Sequence, residues 1–401
     1  ALVLIDALEL RDVVWLGGEK PESVSIRWSA HGHARTLLGQ EATLLVVDCL
    51  DGLDPDGIGV ASGIVSGGGL IIFLRPPWGT HVTGPWLARK LVNGDDPLHE
   101  VTNRYTTRFW RQIETAASVD VWDESKGLTQ SNRVTNNRVE QGHKVLDSTA
   151  RTVDQAEAVR LILKVAHGRK RRPLVLTADR GRGKTAALGI AVGRILQGNA
   201  RDVLVVTPAL SAVGPLLEQA ALAWPEGEVH STGIRGSDRR LDVICPSELS
   251  QSLPSAHLVL VDEAAALPVH LLVRLLQKYP RIVFSTTIHG YEGTGQGFAL
   301  RFQAHLDREA PHWRQFTLMT PIRWGLDDPV ESLVLQALCL KVGHSSKTRP
   351  VDSDNDYQTY LLNRDRLAGD DALLSHVFSL LIDAHYRTSP PTRVAGCRGN
   401  Y

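Results

Sequence analysis

The spacing of apolar and polar positions changes character near residue 150, and the two halves predict different architectures. Through residues 1–75 short apolar runs are separated by glycine-rich turns. The stretch "TLLVVDCLDGLDPDGIGVASGIVSGGGLIIFLRPP" predicts a buried strand, an acidic turn, a short helix, a glycine turn and a second strand. The strands are expected over Thr43–Asp48 and Leu70–Leu74, with Ser66–Gly69 as the second turn. This βαβ rhythm predicts an α/β layer. His31 and His33 lie two apart with no further ligand types around them, and both read as surface-loop histidines. Residues 76–125 hold Trp78, Trp86, Trp110 and Trp122 among helical patterns, which read as packing of the same domain. Within them "RYTTRFWRQ" (Arg104–Gln112) mixes bases with aromatics, as RNA contacts can, although alone it is a weak signal. Residues 126–150 are polar, with little periodicity, and read as a linker.

From Arg151 apolar runs rich in β-branched residues alternate with helical patterns. The helix "VDQAEAVRLILKVAHG" leads to a strand at Leu174–Thr177, a glycine loop and the helix "TAALGIAVGRILQG". Further strands are expected at Val203–Val206, Leu241–Cys245, Leu258–Val261 and Ile282–Ser285, with a helix near Ala212–Trp224. Such alternation predicts a parallel sheet covered on both faces.

Composition narrows the class without naming a ligand. Lys+Arg and Asp+Glu both total 44 in 401 residues, so the formal net charge is zero and any nucleic-acid contact must use local patches. The basic run "GRKRR" (Gly168–Arg172), with Arg235, Arg239 and Arg240, is the candidate patch. The four cysteines are far apart and form no CxxC pair, which argues against a zinc site or a disulfide framework and for a reducing compartment. No apolar run reaches membrane-spanning length, and no signal-peptide pattern opens the chain.

The candidate chemistry starts at "TADRGRGKTAAL" (Thr177–Leu188). It follows a strand and opens a helix, the context a phosphate-binding loop requires. Gly183-Lys184-Thr185 supplies the end of the pattern, and Ala178 stands where the first glycine is usual. Lys184 is expected to reach the β- and γ-phosphates of a nucleotide and Thr185 to hold Mg²⁺. "HLVLVDEAAALP" places Asp262 and Glu263 after a strand, to hold Mg²⁺ and to polarise the attacking water. Ser285-Thr286-Thr287, Thr207-Pro208 and Gln155 stand at positions where helicases couple the nucleotide to nucleic acid, touch its backbone and read adenine. The glycine-punctuated "IHGYEGTGQGFALRF" (Ile288–Phe302) reads as a lid, an RNA-contacting loop or a plain connection. In "TPIRWG" Arg323 is expected either to reach the γ-phosphate as a finger in cis or to form a surface ion pair.

Taken in order, "TADRGRGKTAAL", "LVDEAAALPVHLL", "STTIHGYEGTGQGFALRF", "TPIRWG" and "AHYRTSP" resemble the bacterial tRNA(Met) cytidine acetyltransferase family over roughly Leu37 to Pro390. The resemblance implies an α/β protein with an N-terminal Rossmann-like domain (1–125), a linker (126–150) and a RecA/helicase-like P-loop ATPase domain with a parallel sheet (151–335). Residues 336–401 are then a helical segment and the start of a GNAT acetyltransferase domain. It also implies formation of N4-acetylcytidine at the wobble position of elongator tRNA(Met), with acetyl-CoA, ATP and Mg²⁺, in the cytoplasm. On this likeness Gln155, the loop Ala178, Asp179, Arg180, Gly181, Arg182, Gly183, Lys184, Thr185 with Ala186, and Arg323 bind ATP. Asp262 and Glu263 match a DEAD-like motif. The chain departs from the pattern after Pro390, and no Gln/Arg-x-x-Gly-x-Gly/Ala follows, so no acetyl-CoA site is identified. The expectation is a chain that supplies the ATP-hydrolysing and tRNA-binding part, with a separate acetyltransferase polypeptide as partner if the gene is split. The helix expected near Asp370–Tyr386 would then leave part of its apolar stripe exposed. The alternatives are a stand-alone RNA-dependent ATPase and a small-molecule P-loop kinase, the latter disfavoured by Asp262-Glu263 and the Ser-Thr-Thr strand end.

Overall fold

A computed structural model describes residues 11–22, 25–38, 40–77, 79–80, 102–130, 149–198, 202–208, 210–249, 253–288, 295–340 and 360–384, with positions 5, 84, 87 and 88. Trp78, Trp86, residues 131–148 of the expected linker, 289–294 of the glycine-rich stretch and "HYRTSP" lie outside the described residues. Contacts divide the chain into two units, one of 1–138, 291–293 and 327–401, the other of 139–290 and 294–326.

The first unit is built on a four-stranded parallel sheet in the order β2-β1-β3-β4. The strands are β1 (Val13–Leu16), β2 (Ile26–Ser29), β3 (Ala42–Asp48) and β4 (Val65–Leu74). The expected strand–helix–strand unit is present, with α1 at Pro55–Ser62 between β3 and β4. Ser66–Gly69, expected as a turn, lies inside β4 instead. Val65 pairs with Ala42 and Leu70 with Leu44, so the extra residues bulge out of an otherwise continuous strand.

The helix α2 (Arg104–Thr115) carries the basic-aromatic stretch, and its arginines serve packing. Arg108 is buried; it donates to Asp371 at 2.6 Å and to the carbonyl of Ala337 at 2.8 Å. Arg104 donates to Asp365 at 2.6 Å, and Phe109 and Trp110 lie in the core. Trp122 sits on the hairpin of β5 (Val121–Asp123) and β6 (Gly127–Gln130), opposite Leu128, and is exposed rather than packed. His31 is not a surface residue: its ring is largely buried, 3.9 Å from Asp54.

The chain ends expected to stand apart as 336–401 belong to this same unit. The later helices α9 (Pro329–Ala337), α10 (Arg364–Gly369) and α11 (Asp371–Ala384) place Val334, Ala337, Leu338, Leu367, Leu374 and Phe378 in one core with β1, β3, α1 and α2. The boundary expected at 335/336 falls inside α9. The apolar stripe of α11 is therefore packed here, and Leu380 is its exposed remainder.

The second unit holds an eight-stranded sheet in the order β14-β7-β13-β12-β8-β11-β10-β9. The first six are parallel: β14 (Arg314–Leu318), β7 (Leu174–Ala178), β13 (Ile282–Thr287), β12 (Leu258–Val261), β8 (Asp202–Val206) and β11 (Arg240–Ile244). The edge strands β10 (Gly233–Arg235) and β9 (Glu228–His230) run antiparallel. Alternate residues bury into two cores, one under α3 (Val153–His167), α4 (Lys184–Gln197) and α5 (Gly214–Ala223). The other lies under α7 (Val269–Lys278) and α8 (Gly295–Glu309), while the short α6 (Pro246–Leu249) follows β11. Residues Gly295–Phe302 of the glycine-rich stretch open α8 rather than a loop. The helix α4 lies close against α5, where a Cβ at Gly193 would fall 2.4 Å from the carbonyl oxygen of Ala220.

Of the candidate basic patch, the three later arginines are engaged within the second unit, while Arg169, Lys170 and Arg171 are exposed. Arg235 pairs with Asp242 at 2.6 Å, Arg240 with Asp202 at 2.9 Å, and Arg239 donates to the last carbonyls of α4. Arg108→Ala leaves Asp371 and two carbonyls without their cation. It is expected to destabilise the protein by about 3 kcal/mol, seen as an earlier urea transition, with little effect on RNA affinity.

Candidate active site

Parallel strands end on the same side, so the second sheet brings four carboxyl ends to one edge. Leu318 of β14 and Thr287 of β13 both lie in register with Ala178 of β7, and Val261 of β12 pairs with Phe284 of β13. The loop Asp179–Gly183 leaves β7 there, Asp262-Glu263 leaves β12, and Met319–Trp324 leaves β14.

The loop turns through two left-handed glycines, Gly181 at φ +78° and Gly183 at φ +74°, and Gly183 is the N-cap of α4. Its backbone N–H groups therefore stand at a helix N-terminus, a setting that favours anions. Both glycines are also pressed by neighbours. A Cβ at Gly181 would fall 2.7 Å from Trp324, and one at Gly183 would fall 2.4 Å from Ile322. Ala178, where the first glycine is usual, is buried at the strand end.

Lys184 is buried at the start of α4, donates to Thr287 Oγ1 at 2.9 Å and lies 3.6 Å from Glu263. Thr287 in turn donates its hydroxyl to Glu263 Oε1 at 2.8 Å and its N–H to Oε2 at 3.3 Å. Thr185 donates to Asp262 Oδ2 at 3.0 Å, and the Glu263 N–H donates to Oδ1 at 3.1 Å. Burial and the neighbouring Glu263 charge push the Asp262 pKa up to about 6, against the pull of Lys184 and the Thr185 hydrogen bond. Glu263 sits in a left-handed conformation at φ +48°, sparsely populated for a side chain of its size.

The expected site residues are thus partly gathered. Lys184, Thr185, Asp262 and Glu263 form one hydrogen-bonded cluster. Of the Ser-Thr-Thr end only Thr287 joins it; Ser285 and Thr286 are wholly buried in β13, and their hydroxyls have no hydrogen-bond partner among the described residues. Thr207 is buried at the end of β8 rather than facing outward. Gln155 is buried in the first turn of α3 beside the loop; its Oε1 accepts from the Arg151 N–H at 2.8 Å and its Nε2 donates to the Gly183 carbonyl at 3.2 Å. Arg182 donates to the carbonyls of Met319 and Arg180, and Arg323 lies between the two residues that press on the loop glycines. Asp154, which no local motif singles out, accepts from the Met319 and Thr320 N–H groups at 2.8 Å each. Burial opposes its charge, but hydrogen bonds from Thr152, Thr320 and Met319 outweigh it and hold its pKa below the usual aspartate value.

The donor set fits Mg²⁺. The Thr185 hydroxyl and the Asp262 carboxylate such an ion would use already meet, and a buried aspartate beside a second acid favours a cation. Among the described residues no three His, Cys, Asp or Glu side chains gather as a metal cluster, so an ion there would draw its remaining ligands from phosphate and water.

These features define an α/β protein with a parallel sheet and a glycine loop that opens a helix, with a lysine, a hydroxyl and two carboxylates at one sheet edge. The profile described as RNA cytidine acetyltransferase NAT10/TcmA, helicase domain, matches residues 175–341. The profile described as tRNA(Met) cytidine acetyltransferase TmcA, N-terminal, matches residues 4–124. The tRNA(Met) cytidine acetyltransferase TmcA of Nitrosococcus halophilus is 39% identical, over 97% of this chain and 53% of the relative. That of Vibrio cholerae is 34% identical, over 88% of this chain and 45% of the relative. The chain belongs to the tRNA(Met) cytidine acetyltransferase family, and it spans about half the length of the curated relatives it matches. Among the described residues no helix is long and apolar enough to cross a membrane.

Gly183→Ala places a Cβ against Ile322 and Gln155 at a left-handed position. It is expected to cost about 1–2 kcal/mol, measured as a lower thermal midpoint.

Proposed function

We propose that this chain is the ATP-hydrolysing and tRNA-engaging part of a tRNA(Met) cytidine acetyltransferase acting in the cytoplasm. On this reading acetyl-CoA is used, and N4-acetylcytidine is formed at the wobble position of elongator tRNA(Met), by an acetyltransferase part outside this chain. The observation that carries the ATPase role is the chain of contacts Lys184–Thr287–Glu263, beside Thr185–Asp262, at a helix N-terminus.

Each group has a definable task. The loop amides and Lys184 receive the phosphates, with Ala178, Asp179, Arg180, Gly181, Arg182, Gly183 and Ala186 as the surrounding loop. Thr185 and Asp262 would hold Mg²⁺, which when bound neutralises phosphate charge. Glu263 orients and polarises the attacking water, and Arg323, on the segment after β14, adds positive charge beside the loop. Thr287 links these tasks. Without nucleotide, the Lys184 ammonium is held by Thr287 and Glu263. Arriving phosphates compete for that ammonium. Once Lys184 turns to them, Glu263 keeps its two Thr287 hydrogen bonds, and its carboxylate is released from the lysine.

Purified protein is expected to hydrolyse ATP with Mg²⁺, faster when tRNA is added, and Lys184→Ala to lower turnover by about 100-fold. Wild-type turnover no higher than that of Lys184→Ala, with tRNA present, would overturn the reading.

Thr287→Val removes the bridging hydroxyl and keeps the N–H bond. It is expected to lower kcat about tenfold with KM little changed, whereas a rise in KM alone would make Thr287 a phosphate contact instead.

A further inference from the structure

The phosphate loop has two flanks. One faces β13 and β12 and carries Thr287, Glu263 and Asp262. The other faces β14 and is covered by the strap Met319–Trp324. The strap is fastened to the loop itself: Ile322 N–H donates to the Gly181 carbonyl at 2.8 Å, and Arg182 Nε donates to the Met319 carbonyl at 3.1 Å. Ile322 and Trp324 close on Gly183 and Gly181 so tightly that neither glycine has room for a Cβ.

A second fastening comes from the first turn of α3. Asp154 takes the N–H groups of Met319 and Thr320, and its neighbour Gln155 holds the carbonyl of Gly183. Two consecutive residues thus tie strap and loop to one helix end. The Gln155 amide is committed at both its oxygen and its nitrogen, and the residue is 1% exposed, so it presents no free edge to a purine.

A nucleotide seated with its terminal phosphate at Lys184 and Glu263 must lead its ribose and base away from those groups. The β14 flank lies on the other side of the loop, and the half-buried Trp324 is the aromatic side chain placed there. We propose that the Met319–Trp324 strap is the base-side wall of the nucleotide site, with the Trp324 indole as its stacking surface and Asp154 and Gln155 as positioning residues for strap and loop. The proposal rests on the nucleotide-binding reading above and assigns the base contact to the strap instead of to Gln155.

Stacking on an aromatic ring is sequence-tolerant and contributes to the base alone. The full chain is titrated with ATP, ADP and inorganic tripolyphosphate, each with Mg²⁺, by calorimetry. Trp324→Ala is expected to weaken ATP and ADP about tenfold and to leave tripolyphosphate within about twofold. Trp324→Phe is expected to keep most of the affinity. Asp154→Ala should weaken ATP more than tripolyphosphate, and Asp154→Asn, which retains an acceptor, should recover much of the loss. Far-UV circular dichroism establishes that each variant is folded; if Trp324→Ala is not, Trp324→Leu takes its place with the same expectation. Equal weakening of ATP and tripolyphosphate would mean that the strap only braces the phosphate loop, and unchanged affinity for both would mean that Trp324 touches no base. Either result overturns the proposal. A wild-type chain that binds tripolyphosphate as tightly as ATP overturns it too, while leaving the phosphate site standing. A wild-type chain that binds neither overturns the nucleotide reading itself.

Discussion

The site depends on the register of four parallel strands. Ala178, Leu318 and Thr287 are level across β14, β7 and β13, and that alignment puts the loop, the strap and the Lys184 acceptor at one edge. Strands buried on both faces have little hydrophobic alternation to hold register, since apolar residues suit either face. Polar pairs supply what alternation cannot. Thr177 and Thr317 join their hydroxyls at 2.8 Å between β7 and β14, and Lys184, at the start of α4, reaches Thr287 at the end of β13. A slip of one residue would turn Thr177, Thr317 or Thr287 to the opposite face.

The electrostatics of that edge run against its own stability. Two consecutive carboxylates share one lysine, the first is buried, and the second is in a strained left-handed conformation. Desolvation disfavours the Asp262 charge, and the adjacent Glu263 disfavours it further. On the proposed reading a divalent cation and a phosphate chain are the complementary species: the cation would relieve the acids, and the phosphates would meet the amides and the ammonium. Strain and buried charge of this kind persist only where the surrounding structure holds them, and here the Thr287 and Thr185 hydrogen bonds do so.

What could be read from the chain was whatever a single strand and its following loop carry. Asp262 and Glu263 sit directly after a strand whose apolar run announces it, and Lys184 and Thr185 follow the short glycine loop after another, so their grouping followed once the sheet was expected to be parallel. Asp154 and the contact of Trp324 with Gly181 were not legible, because both arise between segments more than 140 residues apart. The arginines misled for a related reason. An arginine in a sequence shows charge but not partners: Asp242 pairs with Arg235, Asp202 with Arg240, and the carbonyls closing α4 accept from Arg239. The return of α9–α11 to the first core was equally hidden, since an amphipathic stripe states that a face is buried and not against what. Ser66–Gly69 carries the composition of a turn, but β4 resumes its pairing with β3 beyond it.

The strap also bears on how a nucleotide signal could leave the second unit. Trp324 is its last residue and α9 begins at Pro329, so four residues, Gly325–Asp328, join the nucleotide edge to a helix of the first unit. Two of the four are already committed. Asp328 caps α9 through the Glu331 N–H at 3.0 Å, and Asp327 holds a left-handed conformation at φ +58°. Only Gly325 and Leu326 are left to absorb a displacement of the strap. Beyond them the chain enters α9, whose Ala337 carbonyl is held by buried Arg108, so the last fixed point of the strap and the first fixed point of the helix are separated by those two residues.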